Sequence, residues 1–380
     1  MFGLSPRNPS LAIVLLILGL NAIPLQAQPP RQVHHNIPGV VMEQLAQNLG
    51  IPWGMTFLSA NRLLFSERAG HLKILDLNDL GITRLKAVPA VAAIGQGGML
   101  DVAVGPDYAR DGWIYITYSK AVASGAATTL ARTRITTNQV SDWQDLLVTD
   151  SASDGGRHFG SRITFDDQGH VFFGVGDRGK RDLAQDWSNH MGSIMRLNLD
   201  GSIPGDNPFV GHPSARDEIW SYGHRNPQGL YYDRARQRLW SIEHGPRGGD
   251  EINLIHRGLN YGWPVISHGK EYWGPVSIGE GTSKAGMEQP LKVYIPSIAP
   301  ASLILYSGEA FPQWRGNLFA GALKLEHLNR VTLSGAGKPV GEERLLEEFD
   351  ERIRALLESA EGWIYLSTDS GKILRLRPAP

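Results

Sequence analysis

Gly112-Trp113-Ile114-Tyr115-Ile116-Thr117-Tyr118 carries the reading of the fold: a turn residue, then aromatic and β-branched side chains in period-two alternation, the signature of a β-strand. The same unit recurs six times: a turn residue, an alternating strand, a polar loop and a further strand. Its copies begin near Asn61 (Asn61 to Ser66), Gly112 (Trp113 to Tyr118), Gly169 (Val171 to Val175), Gln237 (Leu239 to Ile242), Gly316 (Asn317 to Ala320) and Gly362 (Trp363 to Ser367). Spacings of roughly 45 to 80 residues suit four-stranded blades with loops of uneven length. Following strands alternate too, as in His71 to Leu75 and Lys372 to Leu376, and the 44 glycines and 23 prolines suit a fold made of turns. Helical periodicity is nearly absent, Glu342 to Phe349 being its best and short candidate. The expectation is all-β: a six-bladed β-propeller with four-stranded antiparallel blades, the segment near Val40 to Ala46 being the candidate to close the ring against the carboxyl-terminal blade. A β-sandwich or two barrels is the alternative, and neither calls for sixfold recurrence.

At the amino terminus Arg7 precedes the apolar run Leu11 to Leu20, which breaks through Asn21 and Pro24 towards Ala27. That order predicts a signal peptide over residues 1–27, a single propeller over 28–380, and a periplasmic or secreted protein; an uncleaved anchor is the alternative. No later stretch approaches the roughly 20 apolar residues of a spanning helix, so no transmembrane span is expected in the mature chain. The 37 Lys and Arg nearly balance the 38 Asp and Glu, which gives no global field for nucleic acid. Cysteine is absent, removing disulfides, thiolate metal sites and thiol nucleophiles together.

Each repeat is preceded by another apolar strand, and the chemistry collects there. Gln96 precedes Met99 to Val104, His158 precedes Ile163 to Phe165, Arg225 and Asn226 precede Leu230 to Tyr232, and Arg352 and Arg354 flank Ile353 before Leu356 and Leu357. The last three of these groups share one phase of the repeat, and equivalent phase means equivalent place, so innermost strands would bring their polar residues to one mouth of the central channel. His158, between Gly155-Gly156 and Gly160, is the side chain able to take a proton near neutral pH. Arg225 offers a planar donor fork suited to a carboxylate or a quinone oxygen. Arg352 and Arg354, two apart on a strand, aim at one face and repel unless an anion lies between them, with Lys324 a further cation near that rim. Glu243 to Asn253 and Asn260 to Pro264 combine carboxylates with flexible backbone whose carbonyls suit calcium. Taken singly, each histidine or cation is ordinarily a core or surface residue, and an acidic glycine-rich loop ordinarily a turn.

In order, Gly95-Gln96-Gly97-Gly98-Met99-Leu100-Asp101-Val102, Arg157-His158-Phe159-Gly160, Gly223 to Leu230, Glu243 to Asn253 with Asn260 to Pro264, Gly321-Ala322-Leu323-Lys324 and Arg352-Ile353-Arg354 resemble the soluble glucose/sorbosone dehydrogenases that use pyrroloquinoline quinone (PQQ). The similarity spans roughly Leu45 to Leu376. It implies an aldose dehydrogenase that oxidises the anomeric hydroxyl to the lactone by hydride transfer to PQQ. His158 would be general base, oriented by Asp177 of Gly176-Asp177-Arg178-Gly179, with Arg225 alongside in the catalytic group. Gln96, Arg225, Asn226, Tyr272, Ala322, Leu323, Lys324, Arg352, Ile353 and Arg354 match cofactor-contact positions. Gly245 and Pro246 match the calcium that polarises the quinone, and Glu251 and Tyr261 a second calcium (Ca2+) site. An aldose substrate and an unidentified electron acceptor, a quinone pool or a cytochrome, complete the implied partners. Ala301 departs from the pattern, standing where a Ser is common.

A calcium-dependent propeller lactonase and a noncatalytic binding propeller are the competing readings. The first wants carboxylates on its metal and has no use for Arg225, Lys324, Arg352 and Arg354 together; the second has no use for His158 and Gln96.

Overall fold

The computed structural model describes residues 1–3 and 30–380; the expected signal peptide lies largely outside them. Six antiparallel sheets follow one another around a channel. Blade one holds the strands Pro52–Ser59, Arg62–Glu67, His71–Asp76 and Ile82–Arg84, and blade two Met99–Val104, Ile114–Val122, Gly125–Thr136 and Gln139–Val148. Blade three holds Ile163–Phe165, His170–Val175, Ser193–Asn198 and Ile219–Tyr222, and blade four Pro227–Asp233, Arg238–Glu243, Asp250–Ile255 and Lys292–Tyr294. Blade five runs Pro300–Leu305, Leu318–Ala322, Leu328–Leu333 and Pro339–Leu345. Blade six takes Ile353–Glu358, Ile364–Thr368 and Ile373–Pro378 from the end of the chain and Val40–Ala46, with the short Arg31–Val33 outside it, from the beginning. This is the six-bladed propeller the repeat predicts, with Val40–Ala46 closing the ring.

The alternation in Ile114–Val122 shows why these sequences make blades. Ile114, Ile116 and Tyr118 pack against Leu64 and Leu72 of blade one, whereas Tyr115 between them packs against Ile163 and Val171 of blade three. Blade five divides its second strand likewise, Phe319 entering the core shared with blade six and Leu318 and Ala320 the core shared with blade four. Both faces of each sheet are therefore buried, which favours aromatic and β-branched residues at successive positions. Closure adds a polar clasp: Glu43 receives Arg375 at 2.6 Å and Arg377 at 2.8 Å.

The helical expectation for Glu342 to Phe349 is corrected. Through Leu345 the segment is the outer strand of blade five, its Glu343 opposite Arg330, and only Glu347–Phe349 forms a single 3-10 turn. Charged residues on a solvated edge strand show no apolar face of either period, so the pattern carried no information there. Among the described residues no helix is long and apolar enough to cross a membrane.

Candidate active site

The innermost strand of every blade runs the same way along the channel, so its first residues meet at one mouth and its last at the other. At the first mouth lies a cavity of about 300 Å³ lined by Trp53, Arg68, Gln96, Leu100, Phe159, Gly160, Asn226, Gln228, His244, Ala299, Leu323, Arg352, Arg354 and Asp369. At the second lies one of about 440 Å³ lined by later residues of the same strands, Thr56, Val102, Thr164, Leu303 and Leu357 among them. Arg162 and Asp101, both buried, stand between them.

His158 sits on the loop entering blade three, at the margin of the first cavity. Its backbone takes the left-handed conformation at φ 54°, a strained choice for a side-chain-bearing residue that its neighbours enforce. The His158 N–H donates to Gln96 Oε1 at 2.8 Å, and a Cβ on Gly176 would lie 2.4 Å from the His158 carbonyl oxygen, so the loop backs directly on that glycine. The next residue, Asp177, accepts from His158 Nδ1 at 2.5 Å, from the Gly179 N–H at 2.7 Å and, on its other oxygen, from Trp263 Nε1 at 2.8 Å. With Nδ1–H given to a carboxylate, the unshared pair is at Nε2, the atom able to take a proton. Burial pushes the imidazole below its ordinary value, the Asp177 hydrogen bond raises it, and the Arg225 charge lowers it again. Burial would raise Asp177, but the bond from His158 and the neighbouring N–H and Arg225 hold it below the usual carboxylate range.

On the far side of the cavity Arg352 and Arg354 converge as their spacing predicts, and the anion between them comes from the protein itself. Asp369 accepts two bonds from Arg354 at 2.8 Å each and one from Arg352 at 3.0 Å. Arg352 also donates to the Leu323 carbonyl at 2.6 Å, tying blade six to blade five.

His244 lines both this cavity and a narrow second one of about 20 Å³, which also takes in Arg225, Glu243, Gly245, Pro246, Glu251, Tyr261 and Trp263. Burial, with the Arg225 charge, pushes His244 down to about 3, and its Nε2 donates to the Pro300 carbonyl at 2.7 Å. Arg225 lies 5.3 Å over the Trp263 ring and donates to the Gly245 carbonyl at 2.7 Å. Glu251 is pushed up to about 8, first by burial and then by Glu243 opposite it on the next strand. Glu243 is buried and already accepts from His224 Nδ1 at 2.9 Å and the Arg225 N–H at 2.7 Å, which leaves the half-buried Glu251 and main-chain oxygens as the ligands that suit a hard divalent cation. The Tyr261 hydroxyl is already engaged, donating to the Leu254 carbonyl at 2.5 Å and accepting from the His256 N–H at 2.8 Å, so only its main chain could serve a metal. Among the described residues no three His, Asp or Glu side chains cluster as a metal site, so a cation here relies on backbone carbonyls.

A family model described as "Glucose / Sorbosone dehydrogenase" matches residues 49–375, every blade of the ring. The chain belongs to the glucose/sorbosone dehydrogenase family. It is an oxidoreductase of that family. The aldose sugar dehydrogenase YliI of Escherichia coli is 38% identical over 347 residues, covering 89% of this chain and 93% of its own. The apo form of the soluble aldose sugar dehydrogenase from Escherichia coli superposes with a TM-score of 0.86 at 36% identity, covering 90% of this chain and all of the other. The PQQ-bound aldose sugar dehydrogenase of Streptomyces coelicolor gives a TM-score of 0.74 at 27% identity, over 90% of this chain and 99% of the other.

In this family member Gln96, Asn226, Leu323, Arg352 and Arg354 line the first cavity, and Gly245, Pro246, Glu251 and Tyr261 share the narrow cavity of about 20 Å³ with Arg225. Other expected positions fall elsewhere. Ile353 and Ala322 are fully buried in the cores between blades and lie outside the cavity lining. Lys324 is exposed at the rim and outside the lining. Tyr272 is 67% exposed, its hydroxyl accepting from Arg225 Nη2 at 3.3 Å. Ala301 contributes its carbonyl, which accepts from Arg162 at 2.7 Å whatever its side chain. Arg68, Trp53, His244 and Asp369 were missed. Arg68, His244 and Asp369 follow the second strands of their blades, and the antiparallel pairs Pro52↔Glu67, Pro227↔Glu243 and Ile353↔Thr368 bring those ends to the same mouth.

Proposed function

We propose that this chain oxidises the anomeric hydroxyl of aldose sugars to the lactone, with PQQ in the 300 Å³ cavity and calcium beside it. The reading rests above all on the 2.5 Å His158–Asp177 pair standing at the edge of a cation-rich cavity. That cavity fits a flat polycarboxylate: Arg68, Arg352 and Arg354 outnumber the single Asp369, while Gln96, Asn226 and Gln228 supply neutral donors and acceptors. The quinone, when bound, supplies the two-electron acceptor that no side chain offers.

The chain's own residues do the rest. His158 Nε2 takes the proton of the C1 hydroxyl as the C1 hydrogen departs with its electron pair, and Asp177 holds the ring in its tautomer and stabilises the imidazolium formed. Arg225 would supply positive charge beside the bound quinone, and Arg352 and Arg354 would hold its carboxylates. The carbonyls of Gly245 and Pro246 would hold calcium near the cofactor; Glu251 and the Tyr261 main chain would hold the second ion. The two electrons would have to pass on to an external acceptor, a quinone pool or a cytochrome, and the amino-terminal pattern argues for work outside the cytoplasm.

Dye-linked oxidation of several aldoses by protein loaded with PQQ and calcium tests this. Sugar-dependent dye reduction is expected; lactone hydrolysis without any sugar oxidation would overturn it.

A further inference from the structure

Three guanidinium groups line the first cavity, and two are already answered. Asp369 bridges Arg352 and Arg354, but among the described residues the Arg68 side chain has no hydrogen bond or ion pair. With three arginines and one carboxylate, the wall carries two unbalanced positive charges. Half-burial makes an unanswered cation there costly. Burial and then the neighbouring Arg354 lower the Arg68 pKa, while Asp369 opposes them.

The fold also fixes where Arg68 stands. Its N–H donates to the Ile51 carbonyl at 3.0 Å, and its own carbonyl accepts from the Met99 N–H at 3.0 Å. Gly98, at φ 146°, passes so close that a Cβ there would lie 1.8 Å from the Arg68 oxygen. The Gln96-Gly97-Gly98 turn is thus built against Arg68, which places the Gln96 amide and the Arg68 guanidinium on one wall from two blades.

Resting on the proposed cofactor reading, we infer that Arg68 is a further anchor for a carboxylate of the bound quinone, a third cation beside Arg352 and Arg354. The ligand chemistry is a planar carboxylate accepting from the guanidinium fork, not a sugar hydroxyl, because the site's positive charge lacks an anion.

The test is titration of metal-loaded apoprotein with PQQ, followed by quenching of tryptophan fluorescence, for the wild type, Arg68→Gln and Arg68→Lys. Arg68→Gln should weaken binding about tenfold to a hundredfold, the usual worth of a charge-assisted bond, and Arg68→Lys less. The trimethyl ester of PQQ, lacking anionic carboxylates, should bind wild type and Arg68→Gln alike. Equal PQQ affinity in wild type and both variants overturns the inference, as does a raised sugar KM with unchanged PQQ affinity, or a loss that persists with the ester. A wild type that binds no PQQ removes the functional reading itself, and this inference with it.

Discussion

Arg162 Nη1 lies 2.8 Å from Asp101 Oδ1 on the channel axis, and the same guanidinium reaches a main-chain oxygen of every remaining blade. It donates to Ala301 at 2.7 Å and Gln228 at 3.2 Å, and touches Trp53 and Arg354 at 3.5 Å. One side chain of blade three thus ties the other five and closes the channel beneath the candidate site. Arg162→Met would leave Asp101 buried without its partner and should cost about 3 to 5 kcal/mol. The double variant with Asp101→Leu should recover part of that. Urea unfolding of the three proteins checks it; a single variant within about 1 kcal/mol of wild type would deny the axial pair its role.

His158→Gln keeps a hydrogen-bonding side chain but removes the base. Turnover should fall roughly a hundredfold to ten-thousandfold with PQQ affinity near normal. Asp177→Asn, which disturbs orientation but leaves the imidazole, should cost less. Full activity in His158→Gln would dismiss it as the base.

The pH profile follows from the same pair. The base works while neutral, and burial sets the imidazole below its ordinary value, so the acid limb of kcat/KM should lie below about pH 6.5. Asp177 raises that pKa, so Asp177→Asn should move the limb further towards acid even as it slows the reaction. A limb moving towards neutral in that variant would contradict the arrangement.

Asp369 holds two arginines that would otherwise repel. Asp369→Asn should lower the melting temperature of the apoprotein, and PQQ should raise it by more than in wild type, because the ligand's carboxylates then supply the missing anion. Arg354→Ala should weaken PQQ binding about tenfold to a hundredfold. An equal thermal shift in wild type and Asp369→Asn would speak against carboxylate binding here.

Chelation should destabilise the protein, since the half-buried Glu251 then faces the Glu243 carboxylate without a cation between them. Melting with excess chelator and with excess calcium measures this, and Glu251→Gln should shrink the difference. No change on chelation in the wild type would remove the metal from the narrow cavity around Glu251.

The propeller was legible because its information is redundant. Ile114 and Tyr115 differ by one position yet enter two different cores, and that two-sided demand recurs in every blade. The place of His158, Arg225 and Arg354 was legible because they share one phase of the repeat, whereas Gln96 was legible only through the motif around it. Arg68 and Asp369 lay in a second phase, after the second strands, where Glu67-Arg68-Ala69-Gly70 and Thr368-Asp369-Ser370-Gly371 look like ordinary turns. Only antiparallel pairing turns those turns towards the same mouth, and the tell-tale was their kinship with Gly176-Asp177-Arg178-Gly179 at the same blade position. The burial of Ile353 and Ala322 was hidden for a different reason: a match to a contact position does not say whether side chain or main chain makes the contact.

The clasp between Val40–Ala46 and Ile373–Pro378 bears on how the molecule comes into being. Glu43 and Arg375 are 332 residues apart, and bringing ends so distant together costs on the order of 5 kcal/mol of chain entropy, recovered only when the last strand docks. Five blades can assemble in order as the chain emerges, but the sixth waits for both ends, so ring closure is the natural slow step of folding. Val40 pairs with Pro378, so the two ends of the ring already lie side by side. A short covalent link between them, with new ends opened in a loop on the face away from the candidate site, would leave every blade intact and turn that late search into a local one.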